Sequence, residues 1–263
     1  MKLLRTFTTI NQEINMEEAP ASAATVTLGG SIVNVFASPG EVFADLRGKE
    51  PSTSLWLVPL LVSLLMVVLF TYVFSSNETF RGQMIEAQTK SLQKAVEEGK
   101  ITQQQADQQA DRLQNMGNMF LVFGIVFGSI FAAVFFFGGG AFLWLGGKIV
   151  LKSPAAYGKY LEVYGISTWI GALGAVVTLM MMIGLNTMYA SPSASLAVLS
   201  TYDFSSHTHK FLSALNVFSI WQTAVLGLGL AKLSDKSTGM AMGLVFGLWI
   251  VWVVAAVFLG IYR

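Results

Sequence analysis

The sequence predicts an all-α fold: a polytopic membrane bundle of five transmembrane helices, with a short helix at the cytoplasmic interface and a helical excursion on the exported side. Two observations carry this prediction. Of 263 residues, 54% are hydrophobic and only 12% are Asp, Glu, Lys or Arg, whereas a soluble globular chain carries about 25% charged residues. Five stretches, Leu55 to Phe74, Met119 to Leu145, Ile166 to Leu185, Phe211 to Ala231 and Met240 to Leu259, hold no charged side chain at all. Each reaches the roughly 20 residues that span about 30 Å of hydrocarbon at about 1.5 Å of rise per residue. Hydrocarbon offers no partner for a free amide or carbonyl, which selects helices over open strands.

Residues 1–30 are expected to form a flexible tail rather than a cleavable signal, because the apolar portion at Leu3, Leu4 and Phe7 is short and is soon interrupted by Asn11 to Glu18. The membrane domain then runs over 31–259, with 260–263 as a short C-terminal tail. Ser38-Pro39-Gly40-Glu41 has the makings of a helix start: a cap, a proline preset at the first helical position, and an acid able to close a capping box. Phe36, Val42, Phe43 and Leu46 supply an apolar side near Arg47 and Lys49. That pattern fits a helix lying at the interface and equally one packed on the spans. Pro59 falls near the first turn of the first span, where its missing amide proton matters little.

The excursion over 75–118 is predicted to hold two helices separated at Gly99. Ile85, Leu92 and Val96 share one face; Ala106, Ala110 and Leu113 share another, with Thr102 and Gln105 placed as a cap. Such thin stripes suit packing against each other or a docked partner. In the second span, Gly138-Gly139-Gly140 marks a place to bend. Ser153-Pro154 is expected to start a helix that leads into the third span, with Tyr157, Tyr160 and Tyr164 suited to the headgroup layer. Glu162 in that lead-in is expected to be solvated or paired with Lys159.

Gly124 and Gly128, and Gly239, Gly243 and Gly247, recur every four residues and so lie on one side of their helices, where backbones can approach closely. Packing within the chain and self-association both fit, as does chance in a glycine-rich composition. Asn216, Ser219, Gln222 and Thr223 place polar groups in the fourth span, for hydrogen bonds to a neighbouring helix or for a polar route. Basic residues in short flanks set orientation. Arg47 and Lys49, then Lys148, Lys152 and Lys159, then Lys232 and Lys236 fall on one side, which predicts a cytoplasmic N-terminus and an exported C-terminus.

The chemistry search yields little. The chain has no cysteine, which removes thiolate nucleophiles and cysteine-based metal sites. His207 and His209 near Asp203 supply no third ligand on a rigid element. The glycine run lacks the lysine and hydroxyl of a phosphate cradle. Formal charge is +1, without the basic, aromatic-interleaved patch of a nucleic-acid binder. No catalytic, metal or cofactor site is therefore assigned.

The order of features resembles the Yip1-domain family of membrane proteins. The opening pattern is Phe36-x-x-Pro39-x-x-x-Phe43-x-x-Leu46 directly before the first span. Later, Asn216-Val217-Phe218-Ser219-Ile220-Trp221, the run Leu226 to Leu230, Lys232 and the last span are similar to that family's C-terminal half. The charged excursion departs from the pattern. The resemblance, over about Ser31 to Leu259, implies a helical membrane domain whose eukaryotic relatives are associated with vesicular trafficking and small-GTPase-linked membrane organisation, and the compact chain is similar to a prokaryotic member in the cytoplasmic (inner) membrane. The function expected is a non-enzymatic membrane scaffold or partner-binding protein. The alternative is a small-molecule or ion permease using Asn216 and Gln222. The expected partners are membrane lipids and either a second copy or other membrane proteins, not nucleic acid.

Overall fold

The computed structural model describes residues 27–115 and 118–260. Among them every regular element is helical, apart from one isolated bridge between Ser193 and Asn216. The first elements are α1 (Leu28–Ala37) and α2 (Pro39–Leu46). Thr27 Oγ1 accepts the Gly30 amide at 3.1 Å, so Leu28 to Gly30, expected at the end of a flexible tail, form a capped first turn. The rest of that expectation, 1–26, and the last three residues of the C-terminal tail lie outside the described residues. Pro39 opens α2 as the sequence suggests, but Ser38 makes no side-chain cap. Ser38 also closes α1, with its amide bonded to Asn34 O at 2.8 Å, and one residue serving both ends leaves its half of the capping box unmade.

The first span is α3 (Ser54–Ser76). The excursion follows as α4 (Glu78–Glu97) and α5 (Gln103–Gln114), and the Thr102–Gln105 capping box is complete. The two helices pack on each other, and α4 also touches α3. The side chains that seat α4 are Phe80 and Ala87, both buried, rather than the Ile85, Leu92 and Val96 face.

The second span, α6 (Asn118–Ile149), runs unbroken through the glycine triplet. The third, α7 (Tyr157–Leu185), starts after Ala156 rather than at Ser153-Pro154. Lys152 has a left-handed backbone, and Ser153 reaches back to bond Gly147 O at 3.0 Å, so this stretch closes the preceding helix instead of opening the next. A 3-10 helix (Ala194–Thr201) and α8 (His207–Ala214) precede the fourth span, α9 (Val217–Ser234), and the fifth, α10 (Thr238–Phe258), completes the bundle. These five long helices are apolar enough to cross a membrane.

The fourth span differs from its expected course, Phe211 to Ala231. The chain breaks at Leu215 and Asn216, because backbone groups there are taken from outside: Ala194 N donates to Leu215 O at 3.2 Å, and Val217 N to Pro192 O at 3.0 Å. Asn216 is then the cap of α9.

In the bundle α7 is central. It touches α1, α3, α6 and α9, while α9 also touches α2 and α10. The main core joins Phe43 and Leu46 from α2, Leu55 from α3, Tyr160, Ile166 and Ile170 from α7, and Val225 and Leu230 from α9. The end that carries α1, α2 and the α9–α10 turn is here termed the latch end; the other is the excursion end.

Candidate functional site

At the latch end, helices outside the spans are fastened to the spans themselves. On α2 the apolar residues Val42, Phe43 and Leu46 fall on one face and are all buried, which seats the helix on α9. Phe43 lies over Gly229: a Cβ there would stand 3.2 Å from the Phe43 ring and 2.6 Å from Val163 Cγ1. Phe36, from the end of α1, meets Trp221 of α9 edge to face with ring centroids 5.8 Å apart. Pro39 opens the helix that carries Phe43. The structure thus brings four of the sequence-selected residues, Phe36, Pro39, Phe43 and Trp221, to one place.

Two ion pairs close the arrangement. Just after α2, Arg47 gives both guanidinium nitrogens to Asp235, each at 2.7 Å. Asp235 occupies the left-handed position that ends α9, which turns its carboxylate toward α2. Hydrogen bonds and the charge of Arg47 hold the Asp235 carboxyl below the usual carboxylate range, and Asp235 raises Arg47 in return. Both side chains are exposed, so this pair is screened and releasable.

The second pair is buried. Glu162 has no exposed surface and accepts Lys159 Nζ at 2.8 Å. Its other oxygen accepts the Ser52 amide. Lys159 Nζ also donates to Glu50 O at 3.1 Å. One Lys–Glu pair three residues apart on α7 therefore pins the 47–53 connection that leads into α3. Immediately beyond, Gly165 admits the α3 backbone: a Cβ there would fall 2.6 Å from Trp56 Cα. Of the two expected settings for Glu162 the structure shows pairing, inside protein rather than at a wet interface. Composition shows that both charges exist, and it is the folded path of 50–52 that supplies their remaining partners.

The three tyrosines also turn inward. Tyr160 is fully buried, Tyr164 packs over Gly139, and Tyr157 Oη donates to Phe137 O at 2.8 Å. Their spacing along α7 directs them at α6, where glycines 139, 140 and 147 leave room.

The other selected residues are dispersed. Gly124 and Gly128 face α3, where an added Cβ would stand 2.6 Å from Thr71 Cγ2 and 2.8 Å from Val67 Cγ1. Around Gly239, Gly243 and Gly247 nothing lies within 4 Å of an added Cβ, so among the described residues this stripe makes no close contact, and the expected packing within the chain is corrected for it to that extent. The glycine of α9 that meets α10 closely is Gly227, against Met242. Asn216 Oδ1 accepts the Phe218 amide at 2.9 Å; it caps its own helix rather than bonding a neighbour. Thr223 likewise bonds within its helix, to Ser219 O. Gln222 Oε1 rests against Gly171 of α7. At the excursion end His209 Nδ1 accepts the Asp203 amide at 2.8 Å, while His207 stacks on Phe258.

A family model described as the Yip1 domain matches residues 33–260, from within α1 to just beyond α10. No match was found among curated proteins, nor among solved structures.

Proposed function

The chain belongs to the Yip1 domain family, and on that premise we propose that it is a non-enzymatic membrane scaffold that presents a fixed platform to a partner membrane protein or a second copy. The latch carries this reading. Phe43, the Phe36–Trp221 contact and the Arg47–Asp235 pair hold α1 and α2 in one pose on the spans, and a surface held in one pose loses little conformational freedom on binding. Val33 of α1 points outward from it, 65% exposed. Arg47, Lys148, Lys152, Lys232 and Lys236 lie in the short flanks of this end, which supports placing it in the cytoplasm.

A photo-crosslinking residue at Val33 tests the proposal in native membranes. The expected result is a discrete adduct, identified as one membrane protein or as the chain itself, that is lost when Phe43→Ala loosens the latch. Diffuse lipid labelling alone, from a correctly folded protein, would end the scaffold reading.

The permease reading rests on a different observation. The Gln222 amide lies against Gly171 of α7, and the buried Trp169 Nε1 has no hydrogen-bond partner among the described residues, so α7 and α9 hold polar groups at span depth that a solute could engage. Uptake into proteoliposomes across a broad panel decides this: protein-dependent flux abolished by Gln222→Leu with the fold intact would replace the scaffold with a permease.

A further inference from the structure

At the excursion end the ends of four spans surround a cavity of about 760 Å³. Phe74 of α3, Met182 of α7, Asn216 at the head of α9 and Gly260 just after α10 contribute to it, and α4 covers it with Met84 and Ala87. The walls are held from outside. Phe80 of α4 is fully buried with Met182 and Ala190; Gln83 Oε1 accepts the Met188 amide at 2.9 Å; Tyr189 stacks on Tyr202 at 4.9 Å. Tyr202 is tied in turn to Ser213 at 2.9 Å. The cavity is therefore preformed, and its volume falls within the ~300–1,000 Å³ of small-molecule sites.

Its charge is unbalanced. Lys210 of α8 is the one ionic residue in this lining, and no ion pair or side-chain hydrogen bond engages its ammonium among the described residues. A smaller chamber of about 280 Å³ shares the Tyr189–Tyr202 wall and adds Glu86, Lys90 and Asp203. There each ionic group is already engaged, although two carboxylates face one ammonium: Lys90 pairs with Glu86 at 2.7 Å, and Asp203 accepts the Ser205 hydroxyl and amide. Among the described lining residues, Lys210 is the cation left to recognise a ligand. A wall that joins an apolar side to neutral polar groups such as Gln88, Ser91 and Asn216, with a single cation at the ends of membrane spans, is complementary to a long apolar body that ends in one negative, hydrogen-bond-accepting group.

We propose that this cavity binds a single-chain anionic amphiphile of the fatty-acid type, its tail among Phe70, Phe74, Met84 and Met182 and its carboxylate on Lys210. The site is independent of the scaffold reading, since it lies at the opposite end of the bundle from the latch.

The test is equilibrium binding of radiolabelled oleate to the purified full chain in a neutral detergent, with oleyl alcohol and phosphatidylglycerol as competitors. One saturable site per chain is expected, with the alcohol and the two-chain lipid each competing at least about tenfold more weakly than unlabelled oleate. Lys210→Gln should weaken oleate binding about tenfold, the size of one lost charge-assisted hydrogen bond. Lys210→Arg should retain it, and Lys236→Gln at the latch end should have no effect. Non-saturable partitioning, equal competition by the alcohol or by the phospholipid, or unchanged binding in a folded Lys210→Gln would each overturn the proposal. Should Lys210→Gln fail to fold, the comparison of oleate with its alcohol on the unaltered protein still decides.

Discussion

Glu162 is the residue whose setting departs furthest from its type. A carboxylate with no exposed surface survives because each oxygen has a donor, Lys159 Nζ on one and the Ser52 amide on the other. Removing one partner of such a pair leaves a buried charge, which costs about 3–5 kcal/mol. Lys159→Met should therefore lower unfolding stability in detergent by about that amount, and Lys159→Met with Glu162→Met should recover part of it. An equal loss in single and double variants would show that the unpaired Glu162 charge carries no cost of its own. The Arg47–Asp235 pair behaves differently because it is exposed. Pairing lowers Asp235, so its contribution is complete above the ordinary Asp value and fades as pH falls through that value to the lowered one. Acidification through that window should raise amide exchange in α1 and α2 while α7 stays protected. Asp235→Asn should show the same faster exchange already at neutral pH, without further change on acidification.

Among the elements, glycines within spans have unlike surroundings. Gly165 faces the α3 backbone itself, at 2.6 Å from Trp56 Cα for an added Cβ, whereas Gly243 faces nothing within 4 Å. A backbone cannot rotate away as a side chain can. Gly165→Leu should separate α3 from α7 and lower unfolding stability in detergent by more than the roughly 1–3 kcal/mol typical of overpacking. Gly243→Leu should leave monomer stability nearly unchanged. If light scattering shows that Gly243→Leu dissociates an oligomer, the open stripe is a contact between copies; if Gly243→Leu destabilises the monomer itself, the open surroundings described here are wrong. The start of α9 makes a similar point. Asn216 caps it through the Phe218 and Ser219 amides, and Asn216→Ala should lower stability by about 1 kcal/mol, read as a fall in melting temperature with the Gln222 region unaffected.

For the whole molecule, Arg47 bonds Asp235 and Lys159 bonds Glu50 O, so the flanks before α3, before α7 and between α9 and α10 meet at one end. The excursion shares a cavity with α8 and a smaller chamber with the 3-10 helix at the other. Reporters fused after Lys49, Lys152 and Lys236 should report one compartment and those after Gly99 and Asp203 the opposite one, with the first group cytoplasmic. Gly99 and Lys152 in the same compartment would mean that α6 does not cross. The sequence by itself determined the helical class, the five spans and the family, because each rests on long uncharged runs and on the order of features along the chain, and hydrocarbon demands those locally. It also marked Phe36, Phe43 and Trp221. Only the tertiary structure decided which neighbours a residue meets: that Tyr160 and Tyr164 face α6, that Asn216 ends a break imposed by residues 192–194, that Glu162 is bonded by a distant amide, and that Lys210 is the one ionic residue among the described lining of a cavity. Uncharged length is a property of consecutive residues, whereas a close approach or an unmatched charge depends on what the fold brings from over a hundred positions away, as with Ser52 and Glu162.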